Sequence, residues 1–139
     1  MDDAARARIA ESFAAQSMMA TLGATLKDVA PGEVTVTAPI LPGSRQQQGF
    51  GHAGLTFSIG DSAAGYAALT MLPLEMEVVT AEIKVNLLAP ARGEVLIAKG
   101  RVVKPGRRLS VVTSEVFVVD QGTETLIAIL QGTMVPVPR

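Results

Sequence analysis

The chain has 139 residues, with 12 Lys and Arg against 13 Asp and Glu, and no cysteine. Its near-neutral balance argues against a nucleic-acid binder working through bulk electrostatics, and the missing thiols exclude disulfides, thiolate catalysis and Cys-ligated metals. With 48% hydrophobic residues and no Trp, the core must be built from Val, Leu, Ile, Ala and Met, yet no apolar run reaches the roughly 18 residues of a membrane span.

The first residues, "MDDAARARIAESFAAQ", begin acidic and lack the basic and then apolar regions of a signal peptide. The expectation is a cytoplasmic protein, with 1–139 as one domain. Residues 3–22 read as one helix at the N-terminus (1–22), with Ile9, Phe13, Gln16 and Ala20 on one side and Gly23 as its stop. "GEVTVTAPI" then alternates Val34, Val36 and Ala38 with Thr35 and Thr37, the period of a half-buried strand. Pro39, Pro42 and Gly43 end it, and the loop "GSRQQQGFG" follows.

Residues 53–72 have the length and the alanines of a helix, apolar nearly all round, which is the pattern of a buried one. Gly60 and Gly65 each weaken a helix by roughly 1 kcal/mol relative to Ala, so they make sense where a sheet backbone comes close. Four β-rich runs come next, "VVTAEIKVNLLAP", "GEVLIAKGRVVKPG", "RLSVVTSEVFVVD" and "ETLIAILQGTMVPV", with turn signals at 90–93, 104–106 and 120–122. Helix, strand, helix and four strands in succession give an α+β fold, a mainly antiparallel β-sheet wrapped around a long central helix.

The central helix carries one formal charge, Asp61, just after the only histidine, His52. A lone ionised carboxylate is costly to bury, so Asp61 is paired, hydrogen-bonded, protonated or open to a cleft. A solvent-facing or capping role is the plain alternative to that of a general base or nucleophile with a raised pKa. If the helix starts near Ala53, Asp61 lies about 12 Å along the axis from the first free N–H groups. The two cannot act on one small group, unless an antiparallel copy of the helix in a dimer brings its N-terminus to Asp61. One His without Cys leaves no plausible zinc site, and no G-x-S-x-G elbow or phosphate loop occurs.

From Pro31 to Met134 the order of elements, with "GHAGLTFSIGD" opening the helix and "LIAILQGTM" near the end, resembles the hotdog-fold acyl-CoA thioesterases of the PaaI type. That family's pattern is an amide residue, five residues, His-Gly-Gly and then an Asp in the third turn. Gln46, His52, Ala53, Gly54 and Asp61 stand in that register, departing from it by Gln for Asn and His-Ala-Gly for His-Gly-Gly. The resemblance implies a thioester hydrolase without a cofactor or metal. Asp61 would be its base or nucleophile, the Ala53 N–H its oxyanion donor, and Gln46 would orient the water or the carbonyl. His52 would shape the loop, with Gly54 in the substrate contact. Thr80 would position the water across a dimer; the period of 2 in "VVTAEIKVNLLAP" puts it on the polar face with Glu82 and Lys84.

The partners implied are an acyl-CoA and further copies of the chain, as a homodimer or homotetramer with active sites at the dimer interface, and neither nucleic acid nor membrane. Lys104, Arg107 and Arg108 in "VVKPGRRLSV" resemble the family's contacts to the CoA nucleotide, or else form a solvated hairpin tip. Arg92 is a weaker candidate of the same kind. Met18, Met19, Met71 and Met76 either line an acyl pocket or fill the core. Rival readings are a non-catalytic acyl-CoA binding or sensing protein and a hotdog dehydratase or hydratase. The dehydratase needs a His–acid pair that the sole His52 does not suit.

Overall fold

A computed structural model describes residues 1–139. Two helices, α1 (Asp3–Ala15) and α2 (Ser17–Leu22), precede β1 (Thr25–Ala30) and β2 (Glu33–Pro39). A 3-10 turn at Pro42–Ser44 leads to α3 (Ala53–Leu69), and β3 (Met76–Leu87), β4 (Val95–Lys104), β5 (Ser110–Asp120) and β6 (Thr123–Pro138) complete the chain. The six strands form one antiparallel sheet in the order β1-β2-β4-β5-β6-β3.

Strand alternation sends Val34, Val36, Leu96, Ala98, Val116 and Leu130 to one face of this sheet, where Ile59, Ala63 and Ala67 of α3 meet them, all fully buried. Each large aliphatic buried this way stabilises the fold by about 1.5–3 kcal/mol. Alanines on the helix let the sheet curl close. At the tightest approach a side chain on Gly100 of β4 would collide with the Ala63 backbone. Gly60 meets the sheet as expected, since a Cβ there would come within 2.9 Å of Leu130. Gly65 does not, because its nearest neighbour would be Met134 at 3.9 Å. That is ordinary van der Waals contact with a side chain, not a close backbone approach.

Other boundaries differ from the sequence expectation. The single helix over 3–22 breaks at Gln16, whose backbone is extended (φ −78°, ψ 97°), and this separates α1 from α2. The segment "TLKDVA", not anticipated as a strand, pairs with β2 as the sheet edge β1. The central helix ends at Leu69 rather than Leu72, where the buried Arg8 of α1 donates to the carbonyls of Leu69, Leu72, Pro73 and Met76. Leu69 is the last residue of α3 and the other three carbonyls follow it in the turn to β3, so a cation there suits both the turn's acceptors and the helix dipole. Nor is α3 apolar and buried all round. Ala53, Gly54 and Phe57 are exposed, and Ser58, Asp61, Ser62 and Gly65 are half-buried. This uncovered face lies beside β3, which has a free edge.

Candidate active site

His52 caps α3 in extended conformation (φ −66°, ψ 144°), its Nδ1 accepting the Gly54 N–H at 2.7 Å. The His52 carbonyl accepts from Leu55 (3.0 Å) and Thr56 (3.4 Å). Three of the first four amides are thus taken, and the Ala53 N–H has no partner in the chain. Ala53 has negative φ, so Ala in place of Gly is accommodated without strain. Gly54, expected in the substrate contact, has its N–H engaged by His52.

Gln46 sits beside this free amide. Its Oε1 accepts from Gln48 N (2.5 Å) and Phe50 N (3.3 Å), and its Nε2 donates to Gln48 Oε1 (3.1 Å), which fixes the side chain and leaves the second N–H of the amide. Arg45 ties the same loop to the carbonyls of Ile40 and Gly49, and Arg92 lies over the Phe50 ring at 4.9 Å. Gln46, His52 and Ala53 line one cleft of about 500 Å3, walled by residues 87–91.

Asp61 lies in a different cleft of about 240 Å3, with Ser62, Gly65, Tyr66 and Leu69 of α3, Val78 and Thr80 of β3, and Met134 of β6. Thr80 Oγ1 donates to Asp61 Oδ1 at 2.8 Å. Burial pushes the Asp61 carboxyl above the usual aspartate range, and the Thr80 bond pulls against that shift. The carboxylate is therefore a stronger base than a solvated one, with Oδ2 left to work.

Thr80 corrects the sequence expectation in the face it occupies. The pairing of β3 with β6 slips between Thr80 and Glu82, leaving Ala81 as the extra residue of a β-bulge. The slip turns Thr80 to the helix side, the side of Ile83 and Val85, and away from Glu82 and Lys84. Its hydroxyl donates to Asp61 of its own chain.

The basic turn of Lys104, Arg107 and Arg108 is exposed and adjoins the C-terminal end of α3, where Arg107 lines a cleft with Met71, Leu72 and Met76. It is not brought to Gln46 and Ala53, which stand at the other end of a 17-residue helix, roughly 25 Å away. Among the methionines, Met19 is core, Met18 and Met71 are exposed, and none of the four borders the Asp61 cleft. Met134 does, and so do Ser12, Gln16 and Tyr66, which sequence reasoning did not single out. One signal was available, since Tyr66 is the only tyrosine and a phenol in an apolar helix needs a hydrogen-bond partner.

The model of the thioesterase superfamily matches residues 48–125, more than half of the chain, and the chain belongs to that superfamily. A crystal structure of a thioesterase family protein from Silicibacter pomeroyi superposes with a TM-score of 0.95 at 40% identity, over 97% of this chain and 99% of that one. A protein named "putative esterase" in Halobacterium salinarum is 32% identical over 79% of this chain and 75% of its own length. The E. coli PaaI protein, from the phenylacetic acid degradation operon, shares the fold with a TM-score of 0.85 at 20% identity, covering 96% and 94% of the two chains. The architecture is the hotdog fold of a thioesterase superfamily member.

Proposed function

We propose that the chain hydrolyses acyl-CoA thioesters as an antiparallel dimer, each site taking its base from one copy and its oxyanion donor from the other. One observation carries this reading. The half-buried carboxylate and the free amide open into separate clefts on the same uncovered side of α3, about 12 Å apart along its axis. Pairing the free β3 edges antiparallel would set the Leu87 end of one copy, which walls the Ala53 cleft, against the Thr80 half of the other. Val79, Leu87 and Leu88 are about half exposed there (49%, 55% and 53%), an apolar rim suited to burial between copies.

In such a site Asp61 Oδ2 takes a proton from water as the oxygen attacks the thioester carbon. The partner's Ala53 N–H stabilises the oxyanion, and Gln46 Nε2 holds water or carbonyl in line. Collapse expels the CoA thiolate, which needs little acid assistance, and leaves the free acid. An antiparallel partner would also set its Ala53 end toward the basic turn of Lys104, Arg107 and Arg108, which supports phosphate contacts across the dimer.

Thiol release from a panel of acyl-CoAs, comparing the native protein with Asp61→Ala, tests the reading. The expected loss is at least about a hundredfold, or roughly 2.7 kcal/mol of barrier. Turnover untouched by the substitution would refute Asp61 as the base. CoA binding without turnover on any substrate would favour the binding protein.

A further inference from the structure

Where β3 slips against β6, three side chains meet. The bulge at Ala81 turns Thr80 toward α3, and the pairing sets Met134 of β6 opposite it. Thr80 Oγ1 stands 2.8 Å from Asp61 Oδ1 and 3.2 Å from Met134 Sδ, within hydrogen-bond reach of both. A threonine hydroxyl has one hydrogen, so it serves one of these acceptors at a time. We propose that Met134 is a positioning residue for the base: its sulfur takes the Thr80 hydrogen when Asp61 is protonated, and this helps the carboxylate to accept a proton. The inference rests on the thioesterase reading above and deepens it.

Hydrogen count sets the direction of the effect. Ionised Asp61 has no hydrogen of its own and draws that of Thr80 to Oδ1, because a charged acceptor outcompetes a thioether. Neutral Asp61 has two bonded arrangements. With its proton on Oδ2, Oδ1 still accepts from Thr80. With its proton on Oδ1, the carboxyl donates to Thr80 Oγ1 and the hydroxyl hydrogen turns away, toward the sulfur placed to receive it. The second arrangement exists in the protonated state alone, so the sulfur stabilises that state and not the carboxylate. In turnover it gives the proton taken from water a second bonded place, and Thr80 turns back when that proton leaves to solvent.

The sulfur is held for this. Met134 is 1% exposed and packs with Ala64, Ala68 and Val112, and a Cβ on Gly65 would lie 3.9 Å from its Sδ. Other ionisable groups reach the cleft as Tyr66 of α3 and Glu77 of β3, the latter paired with Arg139 at 3.3 Å. From α1 come the neutral Ser12 and Gln16, and from β6 Met134 itself. Glu82 and Lys84 lie on the opposite face of β3. None of these groups bonds Thr80, so none stands in for the sulfur.

The test follows the Asp61 carboxyl carbon by NMR across pH, its signal identified by its loss in Asp61→Asn. Native protein, Met134→Leu, Thr80→Val and the double variant are compared. Leucine keeps the volume and removes the acceptor. The titration midpoint should fall by about half a pH unit in Met134→Leu, the loss of one weak hydrogen bond to the neutral form. The same change made on Thr80→Val should leave the midpoint where it is. A purely apolar effect has the other sign, since a drier carboxyl titrates higher. Should Met134→Leu not fold, protein with norleucine for every methionine, sulfur becoming methylene at unchanged shape, takes its place. A midpoint that holds or rises, or that falls as far without the Thr80 hydroxyl, overturns the inference and leaves the thioesterase standing. An acid limb of kcat/KM that ignores the NMR midpoint overturns the positioning role. No thiol release from any acyl-CoA overturns the thioesterase and that role together.

Discussion

Ala53 occupies the first position of α3, the one place in a helix where proline fits, because its N–H makes no intrahelical bond. His52 already has the extended conformation that a following proline requires. Ala53→Pro therefore deletes the proposed oxyanion donor and little else. We expect a loss of about 10²-fold or more in kcat, the usual cost of one such donor, with an unchanged thermal transition; full activity in the variant would remove Ala53 from the mechanism. Asp61 titrates above the usual aspartate range because burial disfavours its charge. The acid limb of kcat/KM should accordingly sit above that range. Thr80→Val removes the bond favouring the charged form and should move the limb higher still; a limb that stays put would detach Thr80 from the base. The sign for stability is the reverse of a salt-bridged carboxylate. A raised pKa contributes stability that is present below the unfolded value and lost as pH rises through the folded one. Asp61→Asn should thus resist urea better than the native protein near neutrality, and the gap should close in acid.

Among the elements, α3 and the four strands after it were legible because their signals are local, an alanine-rich apolar run and regular turn punctuation. The lone charge of Asp61 and the His52 boundary of α3 were legible for the same reason. What stayed hidden depends on partners distant in sequence. The reading of "VVTAEIKVNLLAP" assumed an unbroken period of 2, and the bulge at Ala81 reverses the face of everything before it, Thr80 included. A similar slip between Leu26 and Asp28 disguised β1. No glycine or proline marks the break at Gln16, where the side chain bonds Tyr66 fifty residues away. Nothing in the sequence around Arg8 marks it as buried, yet it is 6% exposed and bonds four carbonyls. Arg8→Met strips this donor from the Leu72 and Met76 carbonyls, leaves those of Leu69 and Pro73 only their backbone partners, and should cost about 3 kcal/mol in urea unfolding. Arg8→Lys should recover only part, since a single ammonium lacks the fork of donors. Equal stability of all three proteins would make the clamp incidental.

At the scale of the molecule, a 12-residue edge strand with apolar side chains is a surface that folded proteins normally cover. An isologous pairing through β3 covers both edges at once and would bring each Asp61 to the opposite Ala53. The separation of those residues into two clefts then has a consequence for mixtures. Asp61→Ala and Ala53→Pro proteins, each inactive alone, would place both defects in one site of a mixed dimer and leave the other site wholly native. Unfolded together and refolded, the two should regain about a quarter of native turnover by random assortment. Molecules that carried both halves of a site in one chain would stay silent, so two broken enzymes mending each other would reveal how the site is divided.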